Sequence, residues 1–153
     1  MIREAKHNEI DAIAEIFRQL HQKHVELAPE SYKMPFDYYF RGRLEAFFAD
    51  DDMTILVSDN DGIDGFAVIR FFDTDSAERI GRQVCYVECL AVEESRRGQG
   101  IGTALFGYIK EYALNCGCDC VRLSAAAENT QALNFYQKMG LVPRVINLNL
   151  NLK

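Results

Sequence analysis

The feature that most limits how this chain can fold is the turn Arg96-Arg97-Gly98-Gln99-Gly100-Ile101-Gly102, lodged between a β-rich run and a helical repeat. Before it, Gln83 to Val92 has strand character; after it, Ile101, Leu105, Tyr108, Ile109 and Tyr112 recur at helical spacing. Glycines at alternate positions admit positive φ and close backbone approach, and the first amides of a helix have no intrahelical partner. The segment therefore predicts a helix N-terminus able to receive phosphate, with Arg96 and Arg97 supplying positive charge. No lysine follows the last glycine, which disfavours a Walker loop and ordinary nucleoside triphosphate hydrolysis. A dinucleotide-binding fingerprint fails for another reason: its first βαβ unit should not follow an antiparallel meander.

That meander occupies the middle of the chain. Met53 to Ser58 and Phe66 to Phe72 are β-rich and are separated by Asp59-Asn60-Asp61-Gly62, which predicts a hairpin, and a polar connection from Asp73 to Arg82 leads into Gln83 to Val92. Upstream, a short strand at Ile2 to Ala5 precedes a helix whose stripe carries Ile10, Ile13, Ala14, Phe17, His21 and His24, stopped by Pro29. Downstream, Cys120 to Ala125 predicts a strand, and Ala132, Phe135, Tyr136 and Met139 predict a helix ending at Gly140. The tail alternates Ile146, Leu148, Leu150 and Leu152 with Val145, Asn147, Asn149 and Asn151, the pattern of a terminal strand. That strand suits either a pairing across a dimer or an intramolecular edge. The order is β-α-(α)-β-β-β-α-β-α-β, and no repeat or linker divides residues 1–153, so one domain is expected.

A net charge of −6 opposes non-specific binding to nucleic acid or anionic lipid, so a polyanionic ligand needs a local basic or amide-lined site. No apolar run is long enough to span a membrane and no secretory leader is legible, which makes the cytoplasm the expected compartment. The five cysteines cannot all pair within one chain. Cys116, Cys118 and Cys120 lack the two-residue gap of zinc knuckles, and the histidines lie far upstream at positions 7, 21 and 24, so reduced, buried thiols and no metal are expected.

Arg97, Gly100 and Gly102 fit the pyrophosphate loop Arg/Gln-x-x-Gly-x-Gly/Ala, and the chain here resembles the GNAT superfamily of acyl-CoA-dependent N-acyltransferases. Asn129-x-x-Ala132-x-x-Phe135-Tyr136-x-x-x-Gly140-Leu141 is similar to the family's later helix, and the element order agrees over nearly the whole chain. The resemblance implies an α/β (α+β) fold: a mixed, mostly antiparallel twisted sheet of six to seven strands, splayed between two central parallel strands and flanked by about four helices. It implies that Leu90, Ala91 and Val92 pair through their backbones with the pantetheine arm of acetyl-CoA. The amides of Gly98, Gln99, Gly100, Ile101 and Gly102 would hold its pyrophosphate beside Arg97, and Asn129 would bond the arm.

Aminolysis of a thioester needs a neutral amine, a stabilised oxyanion and a proton for the departing thiolate. Tyr136 matches the family position facing the sulfur and is the candidate acid, although it also fits the helix's apolar stripe as a core residue. The N–H of Leu90 is the family-like oxyanion donor. Glu88 lies among apolar strand residues and is a candidate base, or else a solvated or ion-paired carboxylate. His21 and His24 end the first helix near the expected acceptor side, Asp50 to Asp52 read as a solvated loop, and Tyr38-Tyr39-Phe40 as core packing. The leading expectation is an acetyl-CoA-dependent N-acetyltransferase acting on a small-molecule primary amine. A protein or peptide N-acetyltransferase and a non-catalytic acyl-CoA-binding module stand beside it.

Overall fold

A computed structural model describes residues 1–153. Its strands are β1 (Ile2–Glu4), β2 (Met53–Asp59), β3 (Ile63–Asp73), β4 (Gln83–Val92) and β5 (Cys120–Arg122); its helices are α1 (Ile10–Leu27), α2 (Tyr39–Phe48), α3 (Ile101–Asn115) and α4 (Thr130–Lys138). They make one sheet in the order β1-β2-β3-β4-β5, antiparallel except for the parallel β4–β5 pair. No helix is long and apolar enough to cross a membrane.

The period-2 alternation of β2 and β3 sets the layers. Ile55, Val57, Phe66 and Val68 point to one face, where they bury Ile10, Ile13, Phe17 of α1 and Phe40, Leu44, Phe47 of α2. Leu56, Ala67 and Ile69 point to the other, against Ile109 and Ala113 of α3. Residues 25–52, whose sequence carries no clear periodicity, hold α2; its Phe40, Leu44 and Phe47 supply a single apolar stripe. Phe40 is buried, as expected for the aromatic cluster, whereas Tyr38 is exposed and sits at φ 67° just before the helix.

Strand β4 breaks the alternation. Val68 is opposite Cys89 but Ile69 is opposite Val87, so Glu88 is an extra residue in a β-bulge. Cys89 and Ala91 consequently pack with the α1–α2 layer, while Cys85 and Val87 pack with α3.

The expectation of six to seven strands is corrected to five, and the terminal strand is the missing one. Residues 141–153 form no regular element, and no backbone hydrogen bond reaches beyond Leu141. Ile146, Leu148, Leu150 and Leu152 are each at least 76% exposed. Alternation specifies which residues would share a face, but a strand forms only where a neighbour offers a ladder. Strand β5 is likewise shorter than the predicted Cys120 to Ala125, since its ladder with β4 holds only three pairs.

Gly65 lets α3 lie close on the sheet. A Cβ there would come within 3.0 Å of Leu105 Cδ1, 3.1 Å of Ile101 Cγ2 and 3.2 Å of the Ala91 carbonyl. Gly65→Val should therefore push the start of α3 outward and cost roughly 1–3 kcal/mol, the usual range for overpacking. Urea unfolding monitored by circular dichroism measures it; a midpoint equal to that of the parent protein would contradict this account of the contact.

Candidate active site

Strand β4 is paired with β3 along its whole length, but with β5 only at Val84–Cys120, Cys85–Val121 and Tyr86–Arg122. Beyond Tyr86 the two parallel strands part. The Glu93 N–H donates to the Asp64 carbonyl of β3, so alternation turns the backbones of Ala91 and Cys89 toward β3 and those of Leu90 and Val92 into the gap. Ala91 pairs with Phe66 across the ladder. The carbonyl of Val92 accepts a hydrogen bond from Arg97 Nε at 3.2 Å, which holds that arginine at the mouth of the gap.

At that mouth, Gly98 and Gly100 take φ of 75° and 84°, and Gly100 is the residue from which α3 starts. No side chain caps the helix. The amides of Gly98, Gln99, Gly100, Ile101, Gly102 and Thr103 find no hydrogen-bond partner within the protein, and the first turn's donors carry the positive end of the α3 dipole. Gly102 faces Val92 and Phe135 of α4 at ordinary contact distance. This is a nest of backbone donors suited to a diphosphate, built by glycines rather than by net charge.

The loop that carries the nest is anchored by Asp64, which sequence reasoning did not single out. It is 4% exposed; its Oδ2 accepts from Asn60 Nδ2 at 2.9 Å and lies 3.5 Å from Arg96 Nη2. A carboxylate between Ile63 and Gly65, just ahead of the apolar run from Phe66, was the available signal, because a buried aspartate needs a partner. Arg96 thus serves the fold of the turn, and Arg97 stands nearer the gap.

Helix α4 closes the other side. Asn129 Oδ1 caps it by accepting from the Ala132 N–H at 3.2 Å. Tyr136 packs edge-on against Phe106 of α3 at 5.9 Å and Phe135 at 5.2 Å, and its hydroxyl has no hydrogen-bond partner. Burial, reinforced by Cys89, pushes the phenol up to about 12. The group therefore keeps its proton at any ordinary pH.

Glu88, in the bulge, meets Arg70 of β3 at 2.9 Å, and that guanidinium lies over the rings of Phe72 and Tyr86. Of the alternatives weighed for Glu88, the ion pair is present. Arg70 went unremarked in the sequence, where an arginine next to Phe71 and Phe72 reads as a strand's wet face. His21 and His24 pack with Tyr32 and Phe40, and His21 Nε2 contacts the Lys33 carbonyl, so both fasten the end of α1 to the segment that follows. Burial, with His21 adding to it, lowers the His24 pKa. Asp50 accepts from the Asp52 N–H in an exposed turn. The thiols of Cys85 and Cys89 are each pushed up to about 12, chiefly by burial, while Cys116 is exposed.

A sheet split between parallel strands, with an amide nest at the mouth of the split, has the shape to suit a long ligand with a diphosphate partway along it. Residues 11–141 match the model of the acetyltransferase (GNAT) family, and the chain belongs to that family. It is 43% identical to mouse thialysine N-epsilon-acetyltransferase over 60 residues, which is 39% of this chain and 35% of that protein. The chain thus spans about a third to a half of the length of the curated relatives it matches. A tetramutant of the BH1408 protein of Bacillus halodurans superposes with a TM-score of 0.94 at 26% identity, covering 99% of both chains. AAC(6')-Iy bound to the bisubstrate analog CoA-S-monomethyl-acetylneamine superposes at 0.75 and 19% identity, over 99% of this chain and 97% of that one, a likeness of fold.

Acetyl-CoA, which the family uses, fits the residues present: the unpartnered amides are free to meet phosphate oxygens, and the gap offers free backbone groups to an extended arm. Gly100→Val should lower CoA affinity at least about tenfold, because valine at φ 84° costs on the order of 1–3 kcal/mol and tilts the nest. Calorimetric titration with CoA checks it, and unchanged affinity with an intact circular dichroism spectrum would sink the assignment.

Proposed function

We propose that this protein transfers the acetyl group of acetyl-CoA to a primary amine of a small molecule by direct attack of the amine on the thioester. The observation that carries the reading is the run of six unpartnered amides, Gly98 to Thr103, at the mouth of the gap between β4 and β5. Gly98 to Gly102 hold the pyrophosphate with Arg97, the backbones of Leu90 and Val92 line the pantetheine arm while that of Ala91, expected to join them, is spent on β3, and Asn129 lies beside the arm. Asn129 has its Oδ1 spent on capping α4, so its Nδ2 is the group left for the arm. A cytoplasmic setting, where acetyl-CoA is made and used, goes with this reading.

The Leu90 N–H, turned into the gap, stabilises the oxyanion as the carbonyl becomes tetrahedral. Tyr136 then gives its proton to the departing thiolate. Glu88, 2.9 Å from Arg70, attracts the ammonium form of the acceptor and takes its proton through water. A small acceptor is favoured because the named relatives act on thialysine or, in the bisubstrate complex, hold an acetylneamine. A peptide or protein amine is the rival acceptor.

Thiol release from acetyl-CoA, run with thialysine, polyamines, aminoglycosides, amino acids and short peptides, decides between them. Turnover of peptides alone would overturn the small-molecule reading, and CoA binding without release for any amine would leave an acyl-CoA-binding module.

Tyr136→Phe keeps the ring and deletes the proton donor, so the single-turnover rate should fall by roughly 10²-fold with CoA affinity little changed. With the phenol held near 12, raising the pH from 7 to 9 should only increase the rate, as more amine becomes neutral, with no alkaline fall below about pH 10. A fall below that pH would mean that a different acid is at work. Glu88→Gln should reduce kcat/KM chiefly at the low end of this range, where the amine arrives protonated; an equal loss across the range would assign Glu88 to structure.

A further inference from the structure

Arg70 of β3 has more bonding capacity than its ion pair uses. It meets Glu88 through Nη2 at 2.9 Å, and its Nε is buried with no partner. A guanidinium presents its donors in a fixed planar fork, so the Nη1 corner is left uncommitted. The group lies over the ring of Phe72 at 5.6 Å and that of Tyr86 at 5.8 Å, and the Tyr86 hydroxyl is tied to Ser124 Oγ at 3.0 Å. Although stacked in this way, the side chain is 43% exposed. Neutralising Glu88 alone would not require so rigid a cation.

Alternation along β3 puts Arg70 on the same face as Val68, the face that α1 and α2 cover. A second arginine stands on that side. Arg43 of α2 lies over the rings of Phe47 at 5.0 Å and Phe17 at 5.8 Å, and its guanidinium pairs with no carboxylate. Its charge works against the burial that raises the thiol of Cys89, the residue after Glu88. Two guanidinium groups thus act on the bulge, one by contact and one through its field, and Glu88 is the one acid that meets them there. An acceptor bearing only amines is drawn to Glu88 and repelled by both arginines; one that also bears a carboxylate complements all three.

We propose that Arg70 selects an acceptor carrying a carboxylate in addition to its amine, an amino acid in its zwitterionic form, and binds that carboxylate while Glu88 draws the ammonium group. The inference rests on the small-molecule acetyltransferase reading and narrows its substrate class. The open corner of the fork meets a carboxylate oxygen, and the Phe72 and Tyr86 rings keep water from one side of the pair, which strengthens a charge-assisted bond. The decarboxylated amine forfeits that bond and sets an apolar or cationic group against the guanidinium.

Initial rates of thiol release with lysine against cadaverine, and with ornithine against putrescine, compare acceptors that differ only by the carboxylate. For each pair kcat/KM should be at least about tenfold higher with the amino acid, the lower end for a hydrogen bond to a charged group, and lysine methyl ester should behave as cadaverine does. Arg70→Gln should bring both ratios close to one, and Arg70→Lys, which keeps the charge without the fork, should retain part of the preference. Both members of a pair depend on Glu88, so each ratio cancels whatever the substitution does to that carboxylate. An arginine with a purely structural role would lower both rates and leave the ratios unmoved, which overturns the proposal. Wild-type ratios of one or less overturn it without recourse to any variant, so a misfolded Arg70 substitution leaves the outcome decidable. CoA binding with no turnover of any free amine, or turnover of peptides alone, instead overturns the small-molecule reading, and this selection falls with it.

Discussion

Strand β4 has one neighbour for its full length and another for three residues, and the site grows from that inequality. A strand in mid-sheet normally satisfies its backbone on both sides. Here the groups of Leu90 and Val92 open instead onto a gap flanked by α3 and α4, leaving the sheet with bonding capacity for an extended guest. The same divergence puts the start of α3 at the mouth of the gap, where its dipole and free amides face any anion that enters. Gly65 below and Asp64 beside hold that helix start in place, so the binding apparatus rests on the first residues of β3 as much as on the turn itself.

The bulge at Glu88 does a second job within the same strand. By inserting one residue it reverses the inward and outward faces, so that Tyr86 and Glu88 share the Arg70 and Phe72 side of the sheet while Leu90 lines the α3 side. One strand thus carries free backbone at the gap and a charged side chain on the opposite face. Arg70 compensates Glu88 in this half-apolar setting, where a lone carboxylate would be costly.

The sequence was most legible where local chemistry dictates shape. The hairpin turn at residues 59–62, the first helix's stripe and the glycine turn each carry their own conformational demand, and each element lies where the pattern put it. Tyr136 and Asn129 could be placed on or at the start of α4 from the motif, and the Asn129 cap follows from its residue type. The bulge could not be read, since a residue's pairing partner lies twenty positions away and leaves no trace in the run Cys85 to Ala91. Arg70 and Asp64 were hidden for the same reason: their partners, Glu88 and Arg96, are long-range. The tail failed differently, because its pattern describes a face and the chain itself provides no ladder to use it.

Cys89 stands beside Tyr136 at the edge of the proposed reaction centre, and a thiol so near a thioester raises the question of a covalent relay. With its pKa near 12, about one molecule in 10⁵ would carry the thiolate at neutral pH, and the thiolate is the nucleophile. A thiol held in that state is a poor nucleophile, which is why the direct attack proposed above does not route the acetyl group through it.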